Sequence, residues 1–494
     1  RAATLPGMIC CRPSRRELIR WSAIVASTAL VPVVDPDRAY AAARAAGPDA
    51  VRPVNLELVT LTETSAVFTW YTGVPGTDDG LGRMEPAPAD GEIVYGTHPA
   101  RLTKRVQGAS DTPYHHVEVT GLEPGQTYFY QARSRGVPAA ATVLVGNAAG
   151  TPLLGGTFAF TTPQPPPGAF LFSIALCNDL HLGETVAGLV GGIPAIKGIS
   201  QIPSRPPYPE VMTEALVADA RARGAAHLLA AGDISSEAEP GDVGTAKQLL
   251  DRFGTYRSDY FVARGNHDRA HEGEAYASCG VGQWQGNDCF RDDFFTGDGP
   301  AYFTADLNGL HVVGLDTYDK PGDGGDAGGL SDEQLAWFLA DIKAHKDQPT
   351  LVFGHHPLLA PDHAPALTGG STLDVGQSLA VIGAYAKAPG VFLHQAGHTH
   401  RNKRLVLPGA VHVTQQEIGA VKEYPGGFTL LRVHTGGFAL NFYKTRGDLA
   451  REWSERTRQE LGGLWPQLSF GASIGDRNRV VTRDLSGLRR AAAA

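Results

Sequence analysis

Five short motifs rich in aspartate, histidine and glycine each close an apolar, β-branched run, and this repeated pairing constrains the fold more than any other feature of the chain. They are Asp179-Leu180-His181, Gly232-Asp233, Gly265-Asn266-His267-Asp268, Gly354-His355-His356-Pro357 and Gly397-His398-Thr399-His400. The runs beside them cover residues 170–177, 227–231, 260–263, 350–353 and 391–393. Such runs read as buried strands, and polar residues just past their ends enter a crevice at the strands' carboxyl edge. Between the motifs, residues 210–223 and 245–253 read as helices. Ser331, with Gln334 three residues on, caps an amphipathic helix containing Leu335, Phe338, Leu339 and Ile342. Residues 301–315 read as a hairpin turning at Asn308-Gly309, and 428–443 as another turning at Thr435-Gly436-Gly437. The expected class is α/β (α+β), a two-sheet sandwich flanked by helices.

Carboxylate, imidazole and carboxamide oxygen are donors suited to Fe, Mn, Zn or Co, and no thiol lies in any of the motifs. That argues against a structural zinc knot. Asp179 and His181 turn toward one ion if the backbone leaves the strand there. Asp233, the only carboxylate of its motif, has two oxygens with which to bridge a pair of ions. The ordered set reads as a two-metal, phosphoester-cleaving site.

These motifs resemble the calcineurin-like metallophosphoesterase superfamily over roughly residues 169–445. The resemblance implies that Asp179, His181, Asp233 and His400 hold one ion, and Asp233, Asn266, His355 and His398 the other, both being divalent or trivalent transition metals. It implies further that a metal-activated hydroxide attacks phosphorus in line, and that His267 protonates the leaving oxygen or stabilises the transition state while Asp268 orients its ring. His356 is expected behind the donors, His394 as a hydrogen-bonded interior residue, His115 and His116 as strand residues, and His271 and His363 in exposed loops. The reaction expected is hydrolysis of phosphate mono- or diesters. Two alternatives stand beside it. One is a cyclic-nucleotide or nucleotide phosphohydrolase, with Tyr208, Tyr276 and Trp284 available to stack a base. The other is a non-catalytic binding module on the same fold, which missing ligands would favour; none is missing.

Residues 50–162 read as an all-β sandwich, with Val54, Leu56 and Leu58, Phe68 and Trp70, and Val117 and Val119 in alternation. The segment from Leu122 to Tyr130 resembles the corner of a fibronectin type III domain. With Val94-Tyr95-Gly96 and Tyr114-His115-His116, the region resembles the amino-terminal domain of purple acid phosphatases. The catalytic region, 169–445, departs from those enzymes. They carry a tyrosinate three residues after the bridging aspartate, where this chain has Ser236, and they lack a histidine at the position of His181. His181 is therefore expected to take over that coordination. Residues 163–168, rich in proline, read as a stiff linker setting the domains' spacing. Residues 446–494 read as an extension, with a helix to Leu461, apolar Trp465, Leu468 and Phe470 docking, and the last dozen residues undocked.

At the amino end, Ser14-Arg15-Arg16-Glu17-Leu18-Ile19-Arg20 precedes an uncharged stretch and then Ala39-Tyr40-Ala41, so residues 1–41 resemble a twin-arginine secretion signal with Met8 as its natural start. Pro32 interrupts the stretch, which is short for a membrane anchor. Export by the twin-arginine machinery to the cell envelope or exterior follows. Removing six basic and three acidic residues with that segment moves the formal charge from −8 to −11. An acidic protein without a Lys/Arg cluster near the motifs is a poor partner for nucleic acid, and small phosphate esters fit better. Three inserts, 184–209, 269–300 and 318–330, are expected to shape the pocket. In an exported protein Cys279 and Cys289 are expected to pair, whereas Cys177 reads as a buried thiol.

Overall fold

Runs of Val, Leu, Ile, Phe and Ala with no charged interruption bury both faces of an extended strand, and the chain forms strands at each such run beside a motif. The computed structural model describes residues 50–78, 83–142, 145, 148–188, 198–269, 289–295, 299–320, 326–361 and 370–490. Residues 1–41, Cys279, His271, His363, Tyr276 and Trp284 lie outside them, and with them the expected signal segment, the expected Cys279–Cys289 pairing and most of the second insert.

Phe170–Cys177 pairs in parallel with His227–Ala231, which pairs in parallel with Tyr260–Ala263. On its other side it runs antiparallel to Gly427–His434, and Gly437–Lys444 and Asn478–Thr482 complete a six-stranded sheet. A second six-stranded sheet runs in the order Phe303–Leu307, Leu310–Gly314, Thr350–Phe353, Val391–Ala396, Thr414–Glu417, Lys403–Val406, parallel in its middle and antiparallel at both edges. Leu176, Leu229 and Phe261 of the first sheet share one buried cluster with Val312, Leu351 and Leu393 of the second. Alternate residues Val313 and Val352 instead join Phe338, Ile342 and Val381 from the helices Asp332–Ala344 and Val375–Tyr385. All five motifs thereby emerge at strand carboxyl ends, two or three from each sheet.

Both hairpins turn where the Asn-Gly and Thr-Gly-Gly sequences place them, and the Ser331 hydroxyl accepts the Gln334 N–H at 3.1 Å. The helix read at 245–253 is displaced, spanning Pro240–Leu250. Pro240 supplies a first-turn φ at no hydrogen-bond cost and starts the helix early, and Gly241 and Gly244 obscure its periodicity.

Arg52–Leu61, Ser65–Gly73 and Tyr114–Thr120 form one antiparallel sheet of the amino-terminal sandwich, facing a sheet centred on Glu92–Gly96 and Thr127–Ser134. The Tyr128 hydroxyl accepts the Glu123 N–H at 2.9 Å, closing the corner read from the sequence. His115 stacks on Trp70 with ring centroids 4.6 Å apart.

The proline-rich segment is not alone in fixing the domains' spacing. The sandwich is docked on the catalytic sheets through buried polar contacts: Thr60 Oγ1 donates to the Phe442 carbonyl at 2.5 Å, Arg477 to the Leu58 carbonyl at 2.9 Å, and Arg432 reaches both oxygens of Glu63 at 2.7 Å. At its centre the fully buried Glu57 accepts from Lys444 Nζ at 2.6 Å, Arg458 at 2.5 Å and the Tyr424 hydroxyl at 2.7 Å. The tail also differs from expectation. Asn478–Thr482 adds an edge strand, and Leu485 and Leu488 are buried, so docking continues well into the last dozen residues. A five-residue strand carrying only two valines gives too weak an alternation to read in sequence.

Candidate metal centre

Left-handed backbone is the local device that turns the donors inward. Asp179, His181, Asp233, His398 and His400 all have φ between 48° and 64°. Such conformations cost non-glycine residues on the order of 1–3 kcal/mol each and persist only where the surroundings enforce them. Here the motifs enforce one another: His181 N–H donates to the Asp233 carbonyl at 2.9 Å, Asp179 N–H to the Gly232 carbonyl at 3.0 Å, and Gly397 N–H to the His355 carbonyl at 2.8 Å. The motif glycines allow that closeness. A Cβ at Gly265 would lie 2.1 Å from Asp233 Oδ1, and one at Gly232 2.7 Å from both the Gly265 nitrogen and His355 Cβ.

The donors converge in two overlapping groups. Asp179, His181 and His400 form one, with His400 Nε2 at 3.3 Å and His181 Nε2 at 3.9 Å from Asp179 Oδ1. His355 and His398 belong to the other, with His398 Nδ1 and His355 Nε2 3.2 Å apart. Asp233 Oδ2 lies between them, 2.9 Å from His355 Nε2 and 3.5 Å from His181 Nε2. The buried Asn266 donates through Nδ2 to Asp326 Oδ1 at 3.3 Å.

Second hydrogen bonds fix which nitrogen each ring presents. His355 Nδ1 donates to the Ala231 carbonyl at 2.9 Å, His398 Nε2 to the Gly370 carbonyl at 2.5 Å, and His400 Nδ1 to Glu423 Oε1 at 2.8 Å. His356 has both nitrogens engaged, Nδ1 with Thr317 Oγ1 and Nε2 with the Asp326 carbonyl, each at 2.8 Å. It nonetheless groups with His355 and His398, with one nitrogen from each of the three rings within 4.8 Å of the others. The buried His181 ring makes no well-formed hydrogen bond, though carboxylates flank it: Nδ1 lies 3.4 Å from Glu184 Oε2 and Nε2 3.5 Å from Asp233 Oδ2, an environment that a bound cation suits. His, Asp and Asn donors of this kind fit transition-metal ions.

Electrostatics agree with that fit. Burial lowers His355 and His400, yet Asp233 and Asp179 outweigh it for the first and Asp179 and Glu423 for the second, so their rings are pushed up to about 9 and about 10. Burial, with Lys422 nearby, holds His181 down to about 4. The pocket thus attracts positive charge, and a metal must displace the protons of His355 and His400. Adding Zn(II) to metal-depleted protein in weak buffer at pH 7 is expected to release about two protons per molecule, with affinity rising as pH rises through the titration of those rings. Absence of proton release would show that both rings are already neutral before the metal arrives.

The Gly265–Asp268 motif differs from expectation in one respect. Asp268 does not orient His267. Its carboxylate accepts from Ser235 N–H at 2.9 Å, Ser235 Oγ at 2.8 Å and Gly265 N–H at 2.9 Å, tying two motif loops together, and burial beside Asp233 pushes it up to about 6. The His267 ring instead donates from Nδ1 to the Ser236 carbonyl at 2.7 Å, while its backbone N–H donates to Asp233 Oδ1 at 2.9 Å. A backbone acceptor of this kind leaves no mark in sequence. Sequence reasoning also missed Glu184, Lys422 and Glu423, which lie beside His181 and His400; the one available signal was a Lys-Glu pair within the otherwise uncharged 418–425. His394 is interior, its Nδ1 paired with the Tyr385 hydroxyl at 2.8 Å, and Cys177 is a buried thiol.

Two six-stranded sheets delivering Asp and His donors to a common carboxyl edge define a metal-dependent phosphoesterase hydrolase. Residues 172–402 match the calcineurin-like phosphoesterase family and residues 51–144 the N-terminal domain of purple acid phosphatases, so the chain carries both domains. The family implies two metal ions. Among solved structures the chain is similar to a dimetal phosphatase from Danio rerio, with 15% identity over 55% of this chain and 96% of that one and a TM-score of 0.39. It is also similar to the purple acid phosphatase PPD1 from seeds of yellow lupin, Lupinus luteus, with 14% identity, 80% and 72% coverage and a TM-score of 0.38. PhoD is a third, with 11% identity, 78% and 85% coverage and a TM-score of 0.36. No curated protein matches the chain significantly in sequence.

Proposed function

We propose that the protein is an exported phosphoesterase that hydrolyses small phosphate mono- or diesters with two transition-metal ions. The observation that carries this reading is the convergence of Asp179, Asp233, His181, His355, His398 and His400 side chains from strand ends in both sheets. Asp179, His181, Asp233 and His400 would hold one ion, and Asp233, Asn266, His355 and His398 the other. Bound there, the ions would supply a nucleophile at neutral pH and charge neutralisation on the phosphoryl oxygens. Asp233 would belong to both positions, since its Oδ2 lies 2.9 Å from His355 Nε2 and 3.5 Å from His181 Nε2, while its Oδ1 accepts the His267 backbone N–H. His267, its Nδ1–H committed to the Ser236 carbonyl, exchanges protons at Nε2 and serves the leaving oxygen.

Export rests on the twin-arginine pattern of residues 1–41. Among the described residues no helix is long and apolar enough to cross a membrane. The acidic balance supports small esters over nucleic acid.

A hydrolysis panel on metal-reconstituted protein, comparing an aryl monoester, an aryl diester, a cyclic nucleotide and a nucleotide, tests the proposal; inactivity on all four would overturn it. Preference for the cyclic nucleotide or nucleotide would replace the simple-ester reading by the nucleotide one. His267→Ala is expected to slow kcat by roughly 10²–10⁴-fold, the usual range for removing a general acid, with metal content near that of the parent. Loss of metal in that variant would make His267 a ligand instead.

A further inference from the structure

The histidines of the two proposed ion positions are backed by different chemistry. Behind His400, Glu423 Oε1 accepts the Nδ1 proton at 2.8 Å, and behind His181, Glu184 Oε2 lies 3.4 Å from Nδ1. Behind His355 and His398 stand backbone carbonyls, those of Ala231 and Gly370. One pair therefore faces anions and the other neutral dipoles.

The anionic backing is a built feature. Glu423 is 1% exposed, and Lys422, 4% exposed, places Nζ against Glu184 Oε2 and 3.6 Å from Glu423 Oε2, joining the two carboxylates. Tyr208 donates its hydroxyl to the other oxygen of Glu184. The Lys422 carbonyl accepts the Trp453 indole N–H at 2.8 Å, and its backbone N–H donates to the Asp179 carbonyl at 3.1 Å, so this Lys-Glu pair is locked to the first motif. A carboxylate accepting the distal N–H of an imidazole raises that ring's basicity as a ligand and fixes its orientation, and loss of such a partner typically lowers metal affinity 10–100-fold.

We infer that Glu423 and Glu184 are positioning residues that make the two ion positions unequal, so that the Asp179/His181/His400 position binds its metal more tightly than the Asn266/His355/His398 position. This rests on the dinuclear reading above. The occupants are transition-metal dications, and the order of filling is set by the anions behind the rings.

Stepwise Co(II) titration of the metal-depleted full chain, followed by visible absorption and by metal content after dialysis against a weak chelator, tests it. The parent is expected to bind two ions in separable steps and to retain one after dialysis. Glu423→Gln, which keeps a hydrogen-bond acceptor and removes the charge, is expected to weaken the tight step about 10–100-fold and leave the weak one in place. Glu184→Gln should act on the same step, and Glu423→Asp should restore part of it. A parent that binds fewer than two ions sinks the dinuclear reading itself. A parent that binds two ions with equal affinity, or glutamine variants that are folded by circular dichroism and keep the tight step, sinks the inference alone.

Discussion

Asp233→Asn is expected to lower turnover by at least ~10³-fold, about 4 kcal/mol of transition-state stabilisation, with the fold intact. Its Oδ2 is 2.9 Å from a donor nitrogen of one group and 3.5 Å from one of the other, so it is the carboxylate placed to touch both positions. An amide loses the charge, and its NH₂ must face either the side that Oδ2 presents to both groups or the His267 N–H that Oδ1 accepts. Asparagine tolerates the left-handed backbone that Asp233 adopts at φ 50°, so a structural explanation for lost activity is removed in advance. Kinetics on the best ester of the panel, metal analysis and near-ultraviolet circular dichroism together decide the matter. Retained turnover would take the bridging role away from Asp233.

A second large effect is expected far from the pocket. Glu57→Ala removes the acceptor of Lys444, Arg458 and Tyr424 at the junction of the two domains. Truncating one partner of a buried ion pair usually costs about 3–5 kcal/mol, because the remaining charges stay buried without compensation. Burial alone would raise the Glu57 carboxyl, but the charges of Lys444 and Arg458 and their hydrogen bonds outweigh it and hold the group well below the usual carboxylate range. A depressed carboxylate contributes stability above its unfolded value of about 4.3 and loses it as pH falls toward the folded value. The gap in denaturant midpoint between parent and Glu57→Ala should therefore be full at pH 7 and narrow in acid below about pH 4. Equal midpoints at pH 7 would show that the junction contributes nothing to stability.

How far the sequence carried these conclusions depended on whether the determining interaction was local. The strands beside the motifs were legible because two buried faces demand uninterrupted apolar side chains, and the hairpins because Asn-Gly supports positive φ, as Asn308 and Gly309 do. The donors were legible from residue type at strand ends. Contacts made between distant segments were not. Asp268 was paired with its sequence neighbour His267, whereas tertiary packing gave it Ser235 and gave His267 the Ser236 carbonyl. Glu423 lies 23 positions from His400, and Glu57 367 positions from Tyr424, separations at which a charge pattern says nothing about partnership. The proline-rich segment tells only part of the story for the same reason: its stiffness is a local property, and the docking between the domains comes from residues elsewhere.

The five donors held at positive φ carry a consequence for how sequences like this one drift. Glycine at any of those positions would relieve the left-handed backbone, while deleting the side chain proposed to hold an ion. Selection for robustness and selection for chemistry therefore pull against each other at the same few codons. A lineage released from its catalytic duty should reveal the fact there first, by exchanging aspartate and histidine for glycine long before its sheets begin to change.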